Sequence, residues 1–265
     1  MNDYIIPESI QKLINGKTYE VDDIGKSDSK ILIFDDMVLK IQKCRSANDS
    51  SVEMMRWLEG KIPAPKVICY ETDGRYQYLL MTRVKGMMSC DKYYMEHPKE
   101  LFKLLAKALH MLWSVDISDC PGIRDLDADL KEAKIRVENN LVDISYAEPT
   151  TFGDNGTFKN PEELYQWLVD NQPDFEPVLS HGDFCLPNIL FENEEVSGFI
   201  DVGDAGIGDK WKDIALCYRS LKHNSDGTFG GVVYPDFKPE ELFEVLGIEP
   251  NWEKINYFIL LDELF

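Results

Sequence analysis

Residues 179–204, LSHGDFCLPNILFENEEVSGFIDVGD, place polar groups where the flanking pattern calls for burial. Val178 and Leu179 form a short apolar strand, and His181-Gly182-Asp183 turns the chain at its end. Asn188 follows, then a second apolar run that ends in Asp201 with Gly203 close behind. A short hairpin between Asn188 and Asp201 would bring both side chains to one point. Singly, His-x-Asp and Asp-x-Gly are ordinary turn chemistry. In this order, and at this spacing, they make a constellation.

That constellation suits phosphoryl transfer. The catalytic loop of kinases runs His-Arg-Asp, four residues, then Asn, and a later Asp-Phe-Gly supplies a metal-binding carboxylate. Gly182 stands in the Arg position and Val202 in the Phe position, while the Asp183-to-Asn188 interval is kept. The chemistry needs a carboxylate aimed at the accepting hydroxyl and oxygen ligands for Mg²⁺. Asp183 is therefore expected as catalytic base, and Asn188 and Asp201 as metal ligands. His181 is expected to be a structural hydrogen-bonder.

Working upstream, such a site needs a Lys on an early strand, a Glu on the next helix and a turn over the phosphates. Residues 18–42 read as strand, turn, strand, and MVLKIQ places Lys40 among apolar neighbours. SSVEMMRWLEG has a Ser start, helix formers and a Gly stop, and carries Glu53. Lys40 and Glu53 are expected to pair. The turn IGKSDSK has a single Gly, so the hydroxyls of Ser27 and Ser29 are expected to help hold the phosphates. KVICYE and YQYLLMT flank an Asp-Gly turn, and LLMTRV reads as a hinge in which Met81, Thr82 and Val84 meet the nucleotide base.

After RVKG the character changes. PKELFKLLAKALHMLWSV carries an apolar stripe through Phe102, Leu105, Leu109 and Leu112. Further helices are expected over 127–141, 161–171, 209–222, 239–246 and 251–264, with Asp209 as an N-cap. The expected fold is α+β and protein-kinase-like. A β-rich nucleotide-binding lobe would span 1–84 and a helical catalytic and substrate-binding lobe 85–265, joined near Gly86.

The formal net charge of −20 argues against nucleic acid or an anionic membrane as partner and favours a cationic small molecule. Six scattered cysteines without a C-x-x-C pair fit reduced thiols. The opening MNDYIIPESI lacks the basic and apolar regions of a signal peptide, so the cytoplasm is the expected location.

WLEGKIPAPKV, DISDCP, HGDFCLPNILFEN, VSGFIDVG, DKWKDIAL and LLDELF together resemble the aminoglycoside phosphotransferases, especially the 3′-O type. The resemblance implies transfer of the γ-phosphoryl of ATP or GTP to an aminoglycoside hydroxyl. It implies the roles given above for Lys40, Glu53, Asp183, Asn188 and Asp201, with Asp213 bracing the catalytic loop. It also implies a substrate site with Arg219, Asp262, Glu263 and the carboxylate of Phe265. Four positions depart from the family pattern. Asp204 stands where Arg is common, His223 and Asn224 replace an acidic pair, and Val38 replaces a Tyr of some relatives. The same chemistry on another small alcohol is the alternative.

Overall fold

The computed structural model describes residues 4–22, 29–44, 47–154 and 156–265. Alternation of apolar and polar residues builds the first lobe. Strands β1 (Glu20–Asp22), β2 (Lys30–Ile33), β3 (Met37–Lys43), β4 (Val67–Thr72) and β5 (Tyr76–Thr82) form one antiparallel sheet in the order β1-β2-β3-β5-β4. In β3 the two-residue period buries Met37, Leu39 and Ile41 and turns Val38, Lys40 and Gln42 the other way. Helix α1 (Glu8–Ile14) sets Ile10 against the buried face with Leu32, Phe34, Leu39, Tyr78 and Leu80. Helix α2 (Ala47–Leu58), between β3 and β4, begins earlier than the Ser start suggested.

The rest of the chain is mainly helical. It comprises β6 (Met87–Met88), α3 (Lys92–Glu96), α4 (Pro98–Trp113), α5 (Leu126–Glu138), α6 (Pro161–Asp170) and β7 (Pro177–Ser180). It continues with β8 (Ile189–Glu192), β9 (Glu195–Phe199), β10 (Gly206–Asp209), α7 (Lys210–Ser225), α8 (Glu241–Leu246) and α9 (Trp252–Asp262). The α4 stripe of Phe102, Leu105, Leu109 and Leu112 is wholly buried at the centre. Asp209 caps α7, accepting from the Trp211 N–H at 2.8 Å.

Two small sheets carry the segment 179–204. β7 pairs antiparallel with β10, Ser180 opposite Gly206. β8 and β9 form the hairpin expected between Asn188 and Asp201, with Ile189 opposite Phe199, and β6 adds a third strand. The lobes meet along a close seam. A Cβ on Gly198 would lie 2.7 Å from the Pro63 carbonyl oxygen across the lobes, and at the junction, within the second lobe, one on Gly86 would lie 2.7 Å from that of Phe191. Gly86 has φ of 131°, a conformation that L side chains seldom adopt. Glycine is required there on both counts. No helix among the described residues is long and apolar enough to cross a membrane.

Candidate active site

Strand register places the three oxygen-bearing residues of the catalytic segment together. The Ile200 N–H donates to the Asn188 carbonyl at 2.9 Å, so the hairpin closes with Asn188 beside the approach to Asp201. Asp183 stands at the other end of the same loop, and the Asn188 amide nitrogen donates to its Oδ2 at 2.9 Å. That bond orients the amide, because the nitrogen faces Asp183 and the oxygen is turned away from it. Asp183 is exposed to the cleft between the lobes.

The loop is held from beneath by a buried carboxylate. Asp213, on α7, is fully buried and accepts from Ser180 Oγ at 2.9 Å, the His181 N–H at 2.9 Å and the Gly182 N–H at 3.2 Å. Burial pushes its carboxyl up, while the Ser180, His181 and Gly182 donors act the other way. The His181 ring is also buried and its Nε2 lies 3.0 Å from the Ile200 carbonyl, linking the Asp183 turn to the Asp201 strand. Gly182 has φ of +86°, and a Cβ there would lie 2.7 Å from the Asp204 carbonyl oxygen. The His-Gly-Asp turn therefore excludes a side chain at its centre.

Asp201 adopts left-handed backbone angles, φ 57° and ψ 40°, uncommon outside glycine. Its Oδ1 lies 3.1 Å from Lys40 Nζ, which reaches across from β3. Lys40 thus has an acidic partner, but not the expected one. Glu53 is exposed on α2 and lines a separate small pocket with Gly122, Ile123 and Arg124. The cleft is instead lined from α2 by Ser51, Val52 and Met55. Two residues are about 200° of helical turn, so a helix that shows Ser51 to the cleft turns Glu53 away from it. The expected Lys40–Glu53 pair is corrected to Lys40–Asp201. The apolar phase of Val52 and Met55 was the signal for which face would point inward.

The nucleotide-side expectations divide. Ser29 and Met81 line the cleft, and Ser29 Oγ donates to Gln42 Oε1 at 3.3 Å. The Thr82 N–H is committed to the Lys66 carbonyl at 2.9 Å, and its Oγ1 accepts from the Lys66 N–H, so Thr82 joins β5 to the chain before β4. Val84 packs at the seam, its Cγ1 2.8 Å from a Cβ built on Gly198. Ser27 lies outside the described residues.

The cleft has a volume of about 940 Å³, and α5, α7 and α9 wall its far half. Asp129, Glu132 and Arg136 share one face of α5 at helical spacing. Lys212 pairs with Asp129 at 2.6 Å with both side chains largely buried. Burial pushes the Asp129 carboxyl up against the pull of Lys212 and Arg124. The acids expected to receive substrate amines all have partners. Asp262 pairs with Arg219, and Arg136 binds the backbone oxygens of Leu264 and Phe265. Glu263 is buried, accepts the Glu148 N–H with both oxygens, and is pushed up to about 7 by that burial. His223 lies 2.6 Å from Glu148, close behind. Asp204 is paired as well, with Arg124 at 2.7 Å. Arg124, Asp129, Glu132, Arg136 and Lys212 were not singled out from sequence. For the α5 trio, helical spacing was the available signal.

The phosphotransferase enzyme family matches residues 23–233. An aminoglycoside 3′-phosphotransferase of Enterococcus faecalis is 41% identical over 214 residues, covering 80% of this chain and 77% of that one. Its counterpart in Staphylococcus aureus is 40% identical over the same shares. Among solved structures, an aminoglycoside-3′-phosphotransferase of type VIII has a TM-score of 0.79 at 25% identity, covering 97% of both chains. The aminoglycoside phosphotransferase APH(3″)-Id of Streptomyces rimosus, solved also with ADP and streptomycin, has a TM-score of 0.79 at 21% identity. It covers 96% of this chain and 95% of its own, and shares the fold.

Proposed function

The chain belongs to the phosphotransferase enzyme family, on its aminoglycoside 3′-phosphotransferase branch, and from that premise we propose that it phosphorylates an aminoglycoside hydroxyl with ATP or GTP. The observation that carries this reading is the cleft that Asp183 and Asp201 line together, with the Asn188 amide bonded to Asp183 and Lys40 3.1 Å from Asp201. Residues 1–84 would hold the nucleotide and residues 85–265 the acceptor. Ser29, Lys40 and Met81 are the described nucleotide-side residues that line the cleft.

Within that reading Asp183 orients the acceptor hydroxyl and takes its proton late, because the transition state is loose. Asn188 holds Asp183 through its amide nitrogen, while its oxygen is available to a cation. Hard oxygen donors from Asn188 and Asp201 fit Mg²⁺, whose remaining ligands would be phosphate oxygens and water. The ion, when bound, supplies charge neutralisation for the phosphates. Lys40 moves between Asp201 and the phosphates, and α2 contributes Ser51 to the wall beside them.

A second reading, another small alcohol as acceptor, is favoured by one observation. The far half of the cleft carries Arg136 and Lys212, with Arg124 at its edge, and its acids are largely paired. A screen of nucleotide consumption with aminoglycosides and with neutral or singly charged alcohols tests both. Turnover with a 3′-hydroxylated aminoglycoside, lost with its 3′-deoxy analogue, is the expected result. Turnover only with other alcohols overturns the first reading and establishes the second.

A further inference from the structure

The pair Arg124–Asp204 stands between the two halves of the cleft. Asp204 comes three residues after Asp201, and its carbonyl is the group against which Gly182 packs. Arg124 arrives from a distant part of the chain. A short parallel bridge fixes it there, since the Arg124 N–H donates to the Ile207 carbonyl at 2.9 Å and the Ile207 N–H to that of Gly122 at 2.8 Å. A Cβ on Gly206 would lie 3.0 Å from Arg124 Cγ, so the Arg stem crosses the chain where no side chain intervenes. The guanidinium then meets Asp204 and lines the same cleft as Asp183 and Asp201. It also pulls on Asp129, on the acceptor wall. Backbone bridge, glycine crossing and ion pair together hold one cation at the boundary between donor and acceptor.

We propose that Arg124 is a further catalytic residue, its guanidinium contacting an equatorial oxygen of the phosphoryl group in flight, with Asp204 as its positioning residue. This rests on the phosphotransfer reading above. The acceptor oxygen forms a bond to the γ-phosphorus as the bond to the bridging oxygen breaks. The electron pair of the broken bond leaves with the nucleoside diphosphate, and the hydroxyl proton passes to Asp183. Charge spread over the three equatorial oxygens needs preorganised donors on the acceptor side, opposite Lys40 and the metal ligands. One N–H group of Arg124 engages Asp204, which leaves others of its planar fork to face the cleft.

Steady-state kinetics of Arg124→Gln, Arg124→Lys and Asp204→Asn test this, alongside nucleotide binding by calorimetry and thermal unfolding of each variant. Turnover by the unaltered enzyme is the control, and its absence would count against the phosphotransfer reading itself. Arg124→Gln is expected to lower kcat by about 10²–10³, with acceptor KM and nucleotide Kd changed by less than about threefold. Arg124→Lys should recover part of the loss, and guanidinium ion added to the Gln variant should restore some turnover. Asp204→Asn should lower kcat by about tenfold, since the guanidinium then loses its anchor. Three results overturn the proposal: near-normal kcat in Arg124→Gln, a loss confined to acceptor KM, or a loss that follows the melting temperature and is not relieved by guanidinium. The second would make Arg124 an acceptor-binding group and the third a structural clip.

Discussion

The two ends of the cleft are built by opposite strategies. At the catalytic end, one segment of 26 residues supplies Asp183, Asn188 and Asp201, and a hairpin folds it onto itself. At the acceptor end, α5, α7 and α9 contribute charges that meet only after the whole chain has folded. Asp129 and Lys212 are 83 positions apart, and Arg219 and Asp262 are 43. The carboxylates proposed to be catalytic are exposed and meet the Asn188 amide and the Lys40 ammonium, whereas the acceptor wall is held by its own ion pairs. Damage to the first end should therefore appear as lost chemistry in a stable protein. Damage to the second should appear first as lost stability.

The largest effect separating the two ends should come from Asp201→Ala. It removes the carboxylate expected to hold the Mg²⁺ that neutralises phosphate charge, and also the partner of Lys40. Turnover should fall by about 10⁴ or more, with a melting temperature close to that of the unaltered protein. Near-normal kcat would remove Asp201 from the site. Asp183→Asn comes next, with a loss of roughly 10²–10⁴ in kcat while nucleotide still binds. Calorimetric titration with a non-hydrolysable nucleotide, compared with turnover, separates these two consequences.

On the acceptor side, Lys212→Met leaves the Asp129 carboxylate buried without its cation. Breaking a buried pair from one side typically costs about 3–5 kcal/mol. Asp129 is almost wholly shielded, so a loss of that order should appear in urea unfolding. The double variant with Asp129→Leu should recover most of it, because no charge then remains buried. A double variant as weak as the single one would show that the pair does more than neutralise itself.

The smallest effect concerns Glu263. Its folded carboxyl is pushed up to about 7 from 4.5 by burial. Between those values the folded chain keeps a proton that the unfolded chain has lost, so stability declines as pH rises through the window and levels above it. Glu263→Gln should remove this slope from urea midpoints taken across the interval. An unaltered slope would place the titrating group elsewhere.

The same contrast explains what was legible in the sequence. The catalytic loop could be read because its chemistry and its topology lie in one stretch, where strand alternation and hairpin closure decide which side chains meet. Lys40 could be placed from the two-residue period of β3. Its partner could not, because Glu53 was the expected acid and the rotation of α2, which turns it from the cleft and leaves Lys40 to Asp201, depends on packing. The terminal acids were visible as charges, but their internal partners, Arg219, Arg136 and the Glu148 backbone, lie on other elements. Glu148 precedes a Gly- and Asn-rich loop whose path no local pattern specifies. Long-range ion pairing is a property of the assembled lobe, and periodicity within a single helix carries no trace of it.

The seam at Gly86 and Gly198 has a mechanical meaning. Two lobes joined by backbone at van der Waals distance along one edge have little room to slide, so their easiest relative motion is a swing about that edge. The β8–β9 hairpin that carries Asn188 and leads to Asp201 is itself part of the edge, since the Phe199 N–H bonds to the Pro63 carbonyl at 2.9 Å. Points near a pivot move least. The reacting groups thus sit close to the axle, where a swing barely changes their spacing. The walls furthest from the seam travel furthest, so a swing widens or narrows the mouth of the cleft more than the end where Asp183 and Asp201 stand.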